Sequence, residues 1–463
     1  MDLKRFWKSG WWLLLPGIGL VIGLGCATPA TNQQASANAA ADQRSIGTNA
    51  SPVLARPSDS ATSIKEPTGV LTLRDAVALA LMENPELAPF AWQTRAVEAR
   101  ILQSSLRPNP ELGLQVEDIV GTGRFRGVRE AQVTLQLSQV VELGGKRAAR
   151  MDVASQGRDI AQSEYEIKRV EVLGEVTQRF ILVVANQHAL ALALTNRDLA
   201  KDAFRTVTER AQAGRVSSLE EQKAELALAR AELVVEGAEH ELRAARKKLS
   251  ASWKNNEPVF ERAEADLFAR KSIPPFANLA SRLARSPEIK RWISERKLRE
   301  AEIRLADARR APNITVGGGI RRLEGPGDQA FILGLSMPLQ ISDRQQGAAA
   351  EARALLGRSE ADQQAAEFRL NSVLLGIHEE MEHDLHIMEG QQKDILPKAE
   401  KALATARDGY SQGRFSYLEV LDAQRTLFDV HQELIRAATS YHQFVGEMER
   451  LIGQPFDQPD SQP

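Results

Sequence analysis

Two stretches of this chain, 199 residues apart, carry nearly the same instruction. Gly214-Arg215-Val216-Ser217 leads into Leu219 and Glu220; Gly413-Arg414-Phe415-Ser416 leads into Leu418 and Glu419. Ala224 and Leu228 then match Ala423 and Leu427. Each stretch reads as a helix, a glycine turn and a second helix. Gly413 can take the left-handed conformation that ends a helix. Ser416 followed by Glu419 makes a capping box for the next one. An internal repeat of this length predicts two copies of one structural unit, so the fold has to be built from a pair of similar halves.

The rest of the chain obeys the repeat. A helix is expected from Leu71 to about Arg107, with Thr72 or Asn84 as cap and a break at Asn84-Pro85-Glu86. Its echo begins at Ser286-Pro287-Glu288 and runs to about Arg310. Each helix ends in a proline-rich stretch and is followed by two strand-like segments of period two. These are Glu111–Val120 with Ala131–Val141, and Asn313–Leu323 with Gln329–Leu339. One side of each strand is apolar and the other small or polar, which suits a sheet between lipid and a wet lumen. A soluble four-stranded sheet capped by helices is the other reading. Four strands cannot close a barrel alone.

Gly144-Gly145-Lys146-Arg147 opens a long helix to about Gln212, with no proline between Pro110 and Pro258. At ~1.5 Å per residue, such a helix spans roughly 100 Å. The second copy runs from about Ser342 to Tyr410, with Pro397 as a kink. Gly157 and Gly174, echoed by Gly357 and Gly376, suggest close helix contacts. Return helices follow over Ser217–Trp253 and Ser416–Ile452. Leu219, Leu226 and Leu233 are seven apart, as are Val420, Leu427, Leu434, Tyr441 and Met448. That spacing predicts left-handed coiled-coil pairing of outgoing and return helices.

The run Gly409-Tyr410-Ser411-Gln412-Gly413, continued by Leu418-Glu419-Val420-Leu421-Asp422-Ala423-Gln424 and Thr426-Leu427-Phe428, resembles the outer-membrane factor (TolC-like) efflux channels. The resemblance extends from about Val70 to Gly453. It implies a mainly α fold with a membrane β-barrel: a homotrimer with four strands per chain, twelve in the barrel, continued by a long α-helical barrel. It implies passive conduction between a periplasmic membrane-fusion adaptor, an inner-membrane pump of the resistance-nodulation-division type, and the exterior. Leu137-Ser138-Gln139-Val140-Val141-Glu142-Leu143-Gly144-Gly145-Lys146-Arg147 is most similar to the cobalt–zinc–cadmium resistance branch, with Val140 where that branch usually has proline. The same duct could instead serve drugs or secreted polypeptides. A periplasmic coiled-coil adaptor, a different class of protein, would lack the four strands.

The N-terminus has a basic start (Lys4, Arg5, Lys8) and an apolar run from Trp11 to Leu24, a signal peptide over 1–25. Gly23-Leu24-Gly25-Cys26 resembles a bacterial lipoprotein cleavage site, which implies lipidation of Cys26. Residues 26–69, rich in Ala, Ser, Asn and Gln, read as a flexible lipid-anchored linker. The first repeat then covers 70–253, a connector 254–275, the second repeat 276–453 and a disordered tail 454–463. The formal net charge of -2 implies no nucleic-acid partner.

No phosphate-binding loop is found, and no cluster of reactive side chains, so neither an enzyme nor a cofactor is implied. Two histidines on one helix hold a metal when four apart. His378 and His383 are five apart, although His383 and His386 could share a face near Glu382. A solvated helix face accounts for them equally well. Glu419 and Asp422 share a helix face. The resemblance puts them at the periplasmic aperture, six carboxylates under threefold symmetry, with Glu220 as first-copy counterpart. Lys223 stands where Asp422 would be and can pair with a neighbouring carboxylate. Tyr410 matches a position that latches the closed state. Solvated coiled-coil charge is the alternative. Gly214, Arg215, Val216 and Ser217, with Gly413, Arg414, Phe415 and Ser416, would be the tips that meet the adaptor, Val216 and Phe415 supplying apolar contact.

Overall fold

The computed structural model describes residues 65–455. The signal peptide, Cys26, most of the linker and nearly all of the tail lie outside the described residues. In chain order the elements are β1 (Val70–Thr72), α1 (Leu73–Glu83), α2 (Ala88–Ser105), β2 (Glu111–Glu117), β3 (Gln132–Val141), α3 (Lys146–Gln212), α4 (Ser218–Ser250), β4 (Arg262–Glu264), α5 (Phe276–Leu283), α6 (Pro287–Ala308), β5 (Ile314–Leu323), β6 (Asp328–Ser336), α7 (Gln346–Gly390), α8 (Leu396–Ser411) and α9 (Tyr417–Ile452). No helix among the described residues is long and apolar enough to cross a membrane.

The four anticipated strands form one antiparallel sheet in the order β2-β3-β5-β6. Its register aligns Leu112 with Leu137, Leu114 with Leu135, Leu135 with Ile320, and Ile320 with Phe331. One face therefore carries a continuous field of Leu, Ile, Val and Phe. Those side chains are exposed in the single chain, Phe331 by 89% and Leu333 by 86%. The other face carries Gln115, Thr134, Gln136, Ser138, Thr315, Gly317, Gly319 and Arg321. Gly319 permits the tight pairing of β3 and β5: a Cβ there would sit 2.4 Å from the Leu135 carbonyl oxygen. All four helix connections leave from one end of the sheet. The turns 118–131 and 324–327 close the other end.

Helix α3, 67 residues long, is the central column and packs against α1, α2, α4, α6 and α9. The equivalent column in the second copy is interrupted. A π-helical turn at Gln391–Ile395 separates α7 from α8, just before Pro397. Proline lacks the N–H that the carbonyl four residues earlier requires, and the ladder shifts to accommodate it. A large apolar cluster fills the middle of the molecule around Phe180, Val183, Leu249, Phe260, Leu267, Leu279, Tyr441 and Met448. Full burial of such side chains contributes about 1.5–3 kcal/mol each.

Three expectations need correction. The sevenfold period is present in the first hairpin, but the buried row is not the leucines. Ala193, Ala200 and Val207 of α3 and Ala224 and Ala231 of α4 are buried, while Leu219, Leu226 and Leu233 are between 52% and 67% exposed. Small side chains let helix axes approach closely, which leaves the leucine row for another surface. In the second hairpin Val420, Leu434, Tyr441 and Met448 are buried as expected. Gly174 touches Arg450 and Gly157 approaches Val97, but Gly357 and Gly376 face open space.

The third correction concerns the linker and connector. β1 pairs in parallel with β4, tying the start of the first repeat to residues 262–264 of the connector. Glu66 fixes that junction: its carboxylate accepts from Trp253 Nε1 (2.9 Å), Asn255 Nδ2 (2.6 Å) and the Val259 and Phe260 amides. Order thus begins by Glu66, inside the stretch expected to be a tether.

The lipid-contact assignment of the apolar face can be checked by mutation. Leu333→Arg should destabilise the membrane-inserted form by about 2–4 kcal/mol if it lies near the bilayer midplane. Denaturant titration in lipid vesicles should show that loss, and Gln136→Arg on the opposite face should lose far less.

Candidate functional site

The two glycine turns lie at the end of the helical column away from the sheet. Gly214 and Gly413 adopt φ values of 70° and 73°, the left-handed region that glycine enters without strain. The Gly214 amide closes on the Ala211 carbonyl and the Gly413 amide on the Tyr410 carbonyl. Ser217 Oγ accepts from the Glu220 amide (3.4 Å), and the Ser416 amide donates to the Glu419 carboxylate (2.6 Å). The return helices are therefore capped differently. Glu419 folds back on its own N-cap, whereas Glu220 turns inward and buries one carboxylate oxygen that finds no hydrogen-bond partner among the described residues.

A small apolar cluster joins the two tips: Val207, Ala224, Leu403, Ala406, Tyr410, Tyr417 and Val420. The Tyr410 and Tyr417 rings meet at 6.1 Å. Arg210 is the charged group at its edge. Its guanidinium lies 4.5 Å from the centroid of the Tyr410 ring and donates to the Tyr410 and Ser411 carbonyl oxygens, 2.7 Å each. Those carbonyls end α8, so a cation there meets the negative end of the helix, sharing the Tyr410 carbonyl with the Gly413 amide. Burial pushes the Tyr410 hydroxyl pKa up, Glu220 adds to the rise and Arg210 opposes it. Further along, Gln424 of α9 donates to Asn196 Oδ1 of α3 (3.1 Å), a second polar tie between the hairpins.

This end-to-end arrangement, a sheet with one apolar face, a helical column and paired glycine tips, can be compared with known proteins. Residues 76–253 and 278–454 match the family described as "Outer membrane efflux protein". The chain belongs to that family. The cobalt-zinc-cadmium resistance protein CzcC of Cupriavidus metallidurans is 31% identical over 419 residues, 90% of this chain and 96% of that protein. The nickel-cobalt-cadmium resistance protein NccC of Alcaligenes xylosoxydans xylosoxydans is 24% identical over 299 residues, 63% of this chain and 67% of that protein. The crystal structure of CusC superposes with a TM-score of 0.72 at 17% identity, over 82% of this chain and 92% of that one. The fold is thus the TolC-like one, mainly helical with one four-stranded antiparallel sheet per chain and two repeats. The chain is an outer-membrane efflux channel homologous to heavy-metal resistance proteins, and not an enzyme.

Within this efflux protein the expected site residues fall into three groups. Asp422 and Lys223 are exposed and make no ion pair among the described residues. Glu419, Glu220 and Tyr410 are engaged in the cap and the tip cluster. At the turns, Arg215 and Arg414 are exposed, Val216 packs against the cluster, and Phe415 lays its ring over Gly409, where a Cβ would be 2.0 Å from Cδ2. Val216 is therefore less available for contact than expected. His383 and His386 belong to no group of three possible metal ligands among the described residues. The group that does form is His378 with Glu379 and Glu382. His378 is buried there, with Nε2 3.2 Å from the Pro274 carbonyl oxygen and its ring against Phe276, so it anchors the connector.

Arg210, Gly409 and Tyr417 were not singled out from sequence. The repeat held the signal, because Arg210 and Gly409 occupy equivalent positions. The glycine makes room for Phe415, and the arginine replaces it where the smaller Val216 leaves space. Arg210→Ala should cost the tip about 1.5–3 kcal/mol, the range for hydrogen bonds from a charged donor. Hydrogen exchange of the amides at 411–414 should accelerate by roughly 10- to 100-fold, with the amides of α1 and α5 unchanged.

Proposed function

We propose that three copies of this chain close a twelve-stranded barrel in the outer membrane and continue it as an α-helical duct into the periplasm. The observation that carries this is the sheet: one continuous apolar face, one polar face, and two edge strands, β2 and β6, each paired on one side only. Unpaired strand edges are not tolerated in lipid, and closure with neighbouring copies removes them. The exposed leucine row of α4 is then a surface for the next subunit. A lipid on Cys26 would add an anchor.

The duct is passive. A periplasmic adaptor meets the tips at Gly214–Ser217 and Gly413–Ser416, and an inner-membrane proton-driven pump of the resistance-nodulation-division type supplies the energy. The cargo is divalent heavy-metal cations, a reading supported by identity over almost the whole length of a cobalt-zinc-cadmium resistance protein. The charge arrangement at the tip is compatible with that cargo. Asp422 is exposed, with no ion pair among the described residues, and threefold symmetry makes a ring of three. Such rings attract cations and repel anions. With Glu419 tied to its cap, the ring is smaller than the six carboxylates expected. Lys223 of each subunit can pair with a carboxylate next door and hold the aperture narrow.

Deleting the gene should lower tolerance to cobalt, zinc and cadmium while leaving tolerance to dyes and detergents intact. The reverse pattern would assign the duct to drugs. In planar bilayers Asp422→Asn should weaken cation preference and Lys223→Gln should raise conductance, whereas Glu419→Gln should change selectivity least. Recordings identical to wild type for Asp422→Asn and Lys223→Gln would remove the aperture from this end.

A further inference from the structure

Gly144-Gly145-Lys146-Arg147 joins β3 to α3 where the sheet meets the helices. Both glycines are left-handed, with φ of 73° and 71°. A Cβ on Gly144 would lie 2.4 Å from Ala311 Cβ and 2.9 Å from the Ala308 carbonyl oxygen, so the strand-to-helix turn runs tightly against the end of α6. The turn delivers Lys146 as the first residue of α3. Its side chain is buried, and its ammonium donates to Asn313 Oδ1. Burial pushes the Lys146 pKa down, Glu142 counters this, and Arg150 and Arg309 push it further down. The Glu142 carboxylate is itself held by two hydrogen bonds from Arg150. Lys146 makes no ion pair of its own among the described residues.

A cavity of about 550 Å³ opens beside it, lined by Arg107, Gln139, Val141, Lys146 and Arg147, and also by Glu142, whose carboxylate is held by Arg150. That volume falls within the roughly 300–1,000 Å³ of small-molecule sites. Arg107 and Arg147 are exposed and make no ion pair among the described residues. No side chain caps the N-terminus of α3, so the positive pole of a 67-residue helix also faces this region. Three cations around one concavity, their nearest carboxylate already taken by Arg150, call for an anion. Arginine forks match phosphate oxygens. Leu106, Val141, Leu143 and Met151 expose apolar surface on the neighbouring segments. A free phosphate would gain nothing from that surface, whereas the glycerol and first methylenes of a lipid would.

We propose that this cavity binds the phosphodiester headgroup of an anionic phospholipid in the inner leaflet of the outer membrane. The proposal rests on the barrel orientation argued above, which puts the helix end of the sheet at the periplasmic edge of the bilayer. The lipid sits against Arg107 and Arg147, Lys146 adds charge from below, and the acyl chains run up the apolar face of β2 and β3.

The test uses the full-length protein purified in a neutral detergent, with bound lipid counted by native mass spectrometry and protection followed by thermal unfolding. The probes are phosphatidylglycerol, phosphatidylcholine and inorganic phosphate. Wild type should retain phosphatidylglycerol over phosphatidylcholine by about tenfold. Arg107→Gln with Arg147→Gln should abolish that preference, and Arg107→Lys with Arg147→Lys should keep most of it. Lys146 is left alone because it is packed. Arg124→Gln with Arg126→Gln, at the opposite end of the sheet, should leave the preference intact. Equal retention of the two lipids by wild type, persistence of the preference in the glutamine variant, or its loss in the Arg124 and Arg126 control each overturns the proposal. So does protection by inorganic phosphate equal to that by the lipid, which would mean an adventitious ion only. A wild type that conducts in bilayers yet shows no lipid preference sinks this site alone. A wild type that forms no pore sinks the barrel itself.

Discussion

The unmet hydrogen-bonding groups along the outer edges of β2 and β6 govern this molecule. Each edge carries N–H and C=O groups that a bilayer core cannot satisfy, at a cost of several kcal/mol for every group left bare. The apolar face of the same sheet makes water an equally poor environment. A chain with both properties is incomplete as a monomer. The register amplifies the point: Leu112, Leu137, Gly318 and Leu333 stand in one row across the four strands, so every strand turns the same side outward. Gly317 and Gly319 supply the close approach of β5 to β3.

The helical half solves a different problem with the same duplicated unit. A long hollow column needs rods that pack on more than one side, so no single heptad row can be the only seam. The first hairpin buries alanine and exposes leucine; the second buries valine, leucine and tyrosine. At the tips the copies have diverged in a coordinated way. Arginine at 210 answers glycine at 409, Val216 answers Phe415, Ser218 answers Tyr417, and Lys223 answers Asp422. The first two exchanges are steric and depend on each other. The last changes the sign of charge on an exposed face and leaves the backbone unaltered.

Much of this was legible in the sequence because its causes are local. Glycine marked the turns, serine and threonine the caps, period-two alternation the strands, and Pro397 the disturbed helix. The rest depends on partners far away in the chain. Glu66 sits in a stretch whose composition resembles a linker, and its four donors lie almost two hundred residues on. The β1–β4 pair joins two strands of three residues each, too short to show a period. Leu219, Leu226 and Leu233 gave the correct spacing and the wrong face, since spacing cannot say which of two apolar rows meets a partner in the same chain. At the tips the glycine turns and the Ser416–Glu419 capping box were readable. What the cap does to the expected aperture role of Glu419 was not, because both roles compete for one side chain.

The distribution of polar groups also sets where the column gives way first. The central cluster is large, and there Tyr441 donates its hydroxyl to the Lys271 carbonyl while His442 meets Leu267. The tip cluster is small, and the Tyr410 and Tyr417 hydroxyls and one Glu220 oxygen meet no hydrogen-bond partner among the described residues. A buried polar group without a partner costs about 1–3 kcal/mol. The middle bears such groups too, at Arg246 Nε, His378 Nδ1 and Asp384 Oδ2, but sets them against a far larger apolar cluster, so the tip has less packing to offset its penalty. Arg210, with two charged hydrogen bonds and a ring contact, offsets part of that penalty from a single position. Local opening draws on the least stable end of a structure, and here that end coincides with the exposed Asp422 and Lys223. On the proposed reading of the tips as the aperture, such an end has the physical character of a gate, and the large central cluster gives it something rigid to move against.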